Sequence, residues 1–181
     1  ELFDEQRQHD RVDLLVRAKY DRNITKEPFK LFAAVRESPV QGSVRVHVPR
    51  QSARAKKSKQ KPRPKRPGRT SDLAVRYMCL QLRAPEYHEQ KAPIDIWIIH
   101  ALEENPPENT KAIEWFLLTT MDITSLEDAE RCLRWYCLRW RIEDWHRVLK
   151  SGCRIEDIDH DTAERLRRAI AINLVIAWRI M

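Results

Sequence analysis

The sequence predicts a mixed α+β chain, with short strands in its first two thirds and long helices at its end. Three observations predict this class. Apolar residues recur with period two or in short unbroken runs up to Thr120; from Ser125 they recur with the helical period. A Lys/Arg/Pro tract over residues 51–70 lies between two of the strand segments.

The first segment, Val12–Tyr20, is apolar at Val12, Leu14, Leu15, Val16 and Ala18, ends at Asp21-Arg22-Asn23, and reads as a largely buried strand. Arg17 and Lys19 fall on one side of it by its period of two. Alone they are better explained by keeping a strand edge soluble than by binding phosphate. Lys30–Val35 fits a short helix or a turn. Gly42–Pro49 alternates Val44, Val46 and Val48 against Arg45 and His47, the pattern of a half-exposed strand. Residues 51–70 hold no side chain able to build a core and are expected to form a mobile loop.

Asp72–Leu82 and Ile94–Leu102 are the next strands, joined by a polar turn over Pro85–Pro93, and Asn105-Pro106-Pro107 ends the second because proline offers no ladder donor. Ala112–Thr120 is more continuously apolar, which predicts a strand covered on both faces. Residues 42–120 therefore read as a largely antiparallel β unit whose last strand returns to a more central sheet. Ser125-Leu-Glu-Asp128 resembles a capping box and opens a helix to about Lys150, where Ser151-Gly152 stops it. Asp161–Glu164 opens a second helix in the same way. The stripes Leu138, Ile142, Trp145, Leu149 and Leu166, Ile170, Leu174, Trp178 read as core.

At 181 residues the chain can form one large domain or two small ones. The net charge of +7 is localised: Ser38–Ser71 contains eleven Arg or Lys and no acid, and without those eleven the remaining 34 − 11 = 23 basic residues face 27 acidic ones. A polyanion such as DNA is the partner this implies; a membrane surface and RNA are weaker alternatives resting on charge alone. The longest apolar run, Ala169–Trp178, is about half the ~20 residues of a membrane span. Cys79, Cys132, Cys137 and Cys153 show no metal-binding spacing, so a reduced, intracellular protein with buried thiols is expected.

One helical segment carries chemistry. Tyr136, Arg139, Glu143, Arg147 and Lys150 are spaced by three, four, four and three residues, which places them on one helical face. A carboxylate then lies among three cations and a phenol. A solvated, charged surface helix explains the same stripe equally well.

Tyr136, Arg139, Glu143 and Lys150 resemble the Tyr-Arg-Glu-Lys signature of bacterial DDE transposases of the insertion-sequence-4 family. The likeness extends through Ile113–Thr119, Ser125–Ala129, Trp140–His146 and Lys150–Gly152, and to Leu15–Lys19 and the basic loop. It implies a ribonuclease-H-like core whose first part ends in residues 1–35, a β-rich insertion over 36–110, and the rest of the core with C-terminal helices over 111–181. It implies a cut-and-paste transposase, cytoplasmic and nucleoid-associated, that acts on transposon ends as a homodimer in a synaptic complex. Glu143 would be the last acid of the Asp-Asp-Glu triad and a ligand in a two-metal site; Mg²⁺ or Mn²⁺ suits carboxylate oxygen. Tyr136, Arg139 and Lys150 would bind DNA phosphates, with Arg147 on the same face, and Trp115 would stack on a flipped base. Arg17 matches a DNA-contacting position, with Lys19 beside it. On an apolar strand, a core role for Trp115 is otherwise the simpler reading.

Two catalytic aspartates of such enzymes lie upstream of a helix, and this chain is expected to begin inside that helix. Asp4, Asp10 and Asp13 lack the strand-end setting, so the chain is expected to be a fragment with one of three metal carboxylates. The rival reading from another class is a non-catalytic DNA-binding remnant or domesticated module.

Overall fold

The computed structural model describes residues 12–48, 67–84 and 92–180. The readings of Glu1–Asp4 and Asp10, most of the basic tract, and the Pro85–Lys91 turn lie outside those residues. The chain divides into two compact units, residues 1–136 and 137–181.

The first unit is built on one antiparallel sheet of five strands. These are β1 (Leu15–Arg17), β2 (Gly42–Val48), β3 (Arg69–Leu82), β4 (Ile94–Leu102) and β5 (Glu114–Thr119), in the order β1-β5-β4-β3-β2. The strands of residues 42–102 thus continue the sheet that holds β1 and β5. Helix α1 (Leu31–Glu37) settles the ambiguous Lys30–Val35 stretch as helix. Its Leu31, Ala34 and Val35 are buried with Leu80, Leu82, Ile94, Ile96, Ile98, Phe116 and Leu118 on one face of the sheet. Val44, Leu73, Val75, Ile99, Trp115 and Leu117 are buried at the alternate positions.

Helix α2 (Leu126–Arg147) starts in this unit, where Ala129, Cys132, Leu133 and Tyr136 are buried at i, i+3, i+4 and i+7. Leu126 reaches Gly42 so closely that a Cβ there would lie 2.4 Å from its methyl carbon. Glycine at 42 admits that side chain. The capping box forms as a reciprocal pair: Asp128 N–H donates to Ser125 Oγ at 3.2 Å, and Ser125 N–H donates to Asp128 Oδ2 at 3.2 Å. The Ser125 hydroxyl, with Thr124 and Arg131 behind it, holds the Asp128 carboxyl below its ordinary range.

Several expectations are corrected. The first strand is only three residues long and exposed, because β1 pairs solely with β5 among the described residues and Val16 has no layer over it; Ala18 alone of Val12–Tyr20 is buried. β3 begins at Arg69, not beyond Thr70, since Arg69 and Thr70 pair with Val48 and His47. β5 is covered throughout from Trp115 to Thr119, as its apolar run predicts. Of the four thiols only Cys132 is buried, where desolvation pushes it up to about 11, and Cys79 is exposed.

The second unit holds the last turns of α2, a π turn at Val148–Gly152, a short 3₁₀ turn at Ile155–Asp157, and α3 (Ala163–Ile180). Regular helix ends three residues before Lys150, because Cys153 N–H donates to Val148 O at 2.9 Å, an i to i+5 bond. Thr162, not Asp161, caps α3, accepting from Arg165 N–H at 3.3 Å. The apolar stripes expected as core are covered only in part: Trp145, Leu166, Ile170 and Leu174 are half-buried. Leu138 and Ile142 are each 52 % exposed and Trp178 is 71 % exposed, while Leu149 and Ala177 are buried. Helical period identifies an apolar face but carries no information about what covers it.

Candidate nucleic-acid interface

The residues singled out by sequence fall into two groups. In the first unit, Trp115 is 5 % exposed at the start of β5, and its ring meets Tyr136 edge to face with centroids 5.2 Å apart. Tyr136 is buried as well. Base stacking by Trp115 requires its ring to be uncovered; the packing seen is that of a core tryptophan. Arg17 leaves β1 and its Nη2 donates to the Glu114 carbonyl at 3.4 Å, while Lys19 lies over the Tyr20 ring at 4.9 Å. Both cations are exposed.

In the second unit, Arg139 and Glu143 are one turn apart on α2, with Arg139 Nη1 3.4 Å from Glu143 Oε1 and both side chains about half exposed. The next two cations do not converge on Glu143. Arg147 Nη2 lies 2.7 Å from Asp144 Oδ1, and Lys150 Nζ lies 2.5 Å from Glu156 Oε1. Lys150 lies inside the π turn, three residues beyond the regular helix. The face therefore offers a set of solvent-open ion pairs, each cation matched by a local acid.

Two polar clusters that sequence reading missed lie inside the first unit. His100, 1 % exposed, sits on the same side of β4 as Ile94, Ile96 and Ile98, stacked on Phe116 at 4.5 Å. Its Nε2 is 3.0 Å from Glu114 Oε1, which also accepts from Arg36 Nη2 at 2.8 Å. Burial lowers the His100 pKa, with Arg76 and Arg36 acting in the same direction against the Glu114 carboxylate. Burial raises Glu114, but hydrogen bonds from Arg36 and His100 outweigh it and keep the group an anion. In the second cluster, buried Glu103 accepts from Arg69 Nη2 at 2.6 Å, Ser71 Oγ at 2.7 Å and Ile113 N–H at 2.9 Å. Those three bonds hold it below its ordinary range despite burial. The available signal was a histidine on the inward parity of an apolar strand, which asks for a partner wherever it is buried.

Residues 1–179 match the family model of the transposase DDE domain. A mixed α+β chain with an antiparallel five-stranded sheet agrees with the ribonuclease-H-like fold of such transposases. The chain belongs to the transposase DDE domain family, and its function class is DNA transposition. DDE transposase domains use divalent metals. Among the described residues no three His, Cys, Asp or Glu side chains gather as a metal site, and Glu143 brings a single carboxylate that faces Arg139. The described residues therefore do not by themselves fit a metal centre. No described helix is long and apolar enough to cross a membrane.

Proposed function

We propose that this chain belongs to a cut-and-paste transposase of the insertion-sequence-4 type, in which Glu143 supplies one carboxylate to a divalent metal, Mg²⁺ or Mn²⁺, and Arg139, Arg147 and Lys150 take phosphates of a transposon end. The observation that carries this reading is the half-exposed Arg139–Glu143 pair on α2, inside a family match that spans almost the whole chain. A carboxylate and a guanidinium one turn apart suit a phosphodiester, since the cation can hold a phosphate oxygen and the carboxylate a metal ion. Tyr136, Arg17 and Lys19 extend the DNA-binding set, and Trp115 joins it once Tyr136 moves off its ring. The strands of residues 36–110 are the insertion within the catalytic core, and the basic tract contacts DNA. The metal's other ligands come from outside the described residues, and the working form is a homodimer on two transposon ends.

Glu143→Gln tests the assignment in a protein that contains this chain together with two further catalytic acids. Cleavage of DNA bearing its transposon ends in Mg²⁺ is expected to stop while DNA binding persists; undiminished cleavage would sink the reading. A second reading, a non-catalytic DNA-binding module, rests on the exposed cations Arg139, Arg147 and Lys150, which can hold phosphates whatever Glu143 does. It predicts that Glu143→Gln does not weaken DNA binding and that the parent protein shows no metal-dependent cleavage for the change to remove.

A further inference from the structure

Lys150 and Glu156 are six residues apart, beyond the reach of the i+3 and i+4 pairs that helices form by default. Their contact depends on three local devices. Cys153 N–H closes the π turn on Val148 O. Arg154 then takes the left-handed conformation, φ 50° and ψ 43°, which a residue with a Cβ adopts at a cost. Asp157 closes the following 3₁₀ turn, donating its N–H to Arg154 O at 2.9 Å and receiving Arg154 Nε on Oδ2 at 2.8 Å. Glu156 is delivered to Lys150 as a result.

We propose that Glu156 is a stand-in for a DNA phosphate: its carboxylate occupies the Lys150 ammonium in the free protein and is exchanged for a phosphate oxygen on binding. This rests on the reading of Lys150 as a phosphate ligand. An ammonium is a point charge with three donors and no geometric preference between a carboxylate and a phosphate oxygen, so either anion fills the same place. Both side chains are more than half exposed, so the pair opens without desolvation and exchange is fast and shallow in energy. Glu156 is thus a positioning residue that orders Lys150 and competes with its ligand. Arg139 and Arg147 differ, because their partners Glu143 and Asp144 follow from ordinary helical spacing.

The test is binding of the whole chain to a fluorescein-labelled 30-base-pair duplex, read by anisotropy over a range of salt. Glu156→Gln is compared with Asp159→Asn, an equal charge change at an exposed acid three residues further on. Glu156→Gln should tighten binding about two- to fivefold beyond Asp159→Asn, the scale of one exposed ion pair. In a Lys150→Met background the two should have equal effects. Equal effects with Lys150 intact would overturn the proposal. Lys150→Met alone should weaken binding and reduce the salt slope by about 0.9, the value of one phosphate contact. If it changes neither, the phosphate reading of Lys150 fails first, and that outcome is distinct from a failure of Glu156. Unchanged circular dichroism of each variant ties these effects to the folded chain.

Discussion

The two units are held together by different physics. In the first, a sheet buries apolar side chains on both faces, and among its polar groups buried Glu103, buried His100 through Nε2 and half-buried Glu114 are joined to named partners. In the second, helices present charged residues paired in solvent and leave Leu138, Ile142, Ile172, Val175 and Trp178 uncovered. Area removed from water stabilises at about 25 cal/mol per Å², whereas an exposed ion pair contributes about 0–1 kcal/mol. Burial therefore concentrates stability in the described residues of the first unit, while the second unit's ion pairs contribute little.

Matched truncations give the largest test of this contrast. Phe116 lies between Phe32 at 3.9 Å and His100 at 4.5 Å, and Phe116→Ala should cost about 3–5 kcal/mol. Ile142→Ala, at a half-exposed position, should cost about 0.5 kcal/mol. Urea denaturation of both variants measures the difference. Comparable losses would mean that the apolar face of the second unit is covered in solution.

Acid sharpens the same contrast. His100 is depressed in the folded state, so between its ordinary value of 6.5 and its folded value the unfolded chain binds more protons. Stability should fall as pH drops below about 6.5 and go on falling until the folded His100 is protonated. Glu103 and Glu114 are also depressed, and their contribution, fully present above the ordinary 4.5, should be lost as pH falls through their folded values. Glu103→Gln should cost about 2 kcal/mol at neutral pH, since it weakens hydrogen bonds to a charged group, and should flatten the lower part of the acid profile. An unchanged profile would place that acid sensitivity in other carboxylates.

Legibility followed the same division. Alternation in Gly42–Val48 and the unbroken run at β5 identified those strands because burial against a sheet repeats every two residues. The Ser125–Asp128 cap was readable because its bonds are local. The pairing of β5 with both β1 and β4 was not readable, since register is decided by contacts far apart in sequence. Spacing placed Arg139 and Glu143 as helical neighbours, but nothing in Val148–Gly152 announces the π turn in which Lys150 lies. His100 and Glu103 escaped notice because their partners, Glu114 and Arg69, are 14 and 34 residues away.

The smallest expected effect on stability belongs to the charged face, and there it separates folding from binding. Arg147→Gln removes one half of an exposed pair with Asp144, and its effect on unfolding should stay within about 0.5 kcal/mol. If Arg147 contacts a phosphate, the same change should lower the salt slope of DNA binding by about 0.9 and weaken binding uniformly across sequences. Salt titrations of the two proteins on one duplex give both quantities. A substitution silent in denaturation and visible in the slope identifies a residue whose partner is DNA; one silent in both identifies a solubilising charge, and Arg147 would then leave the interface.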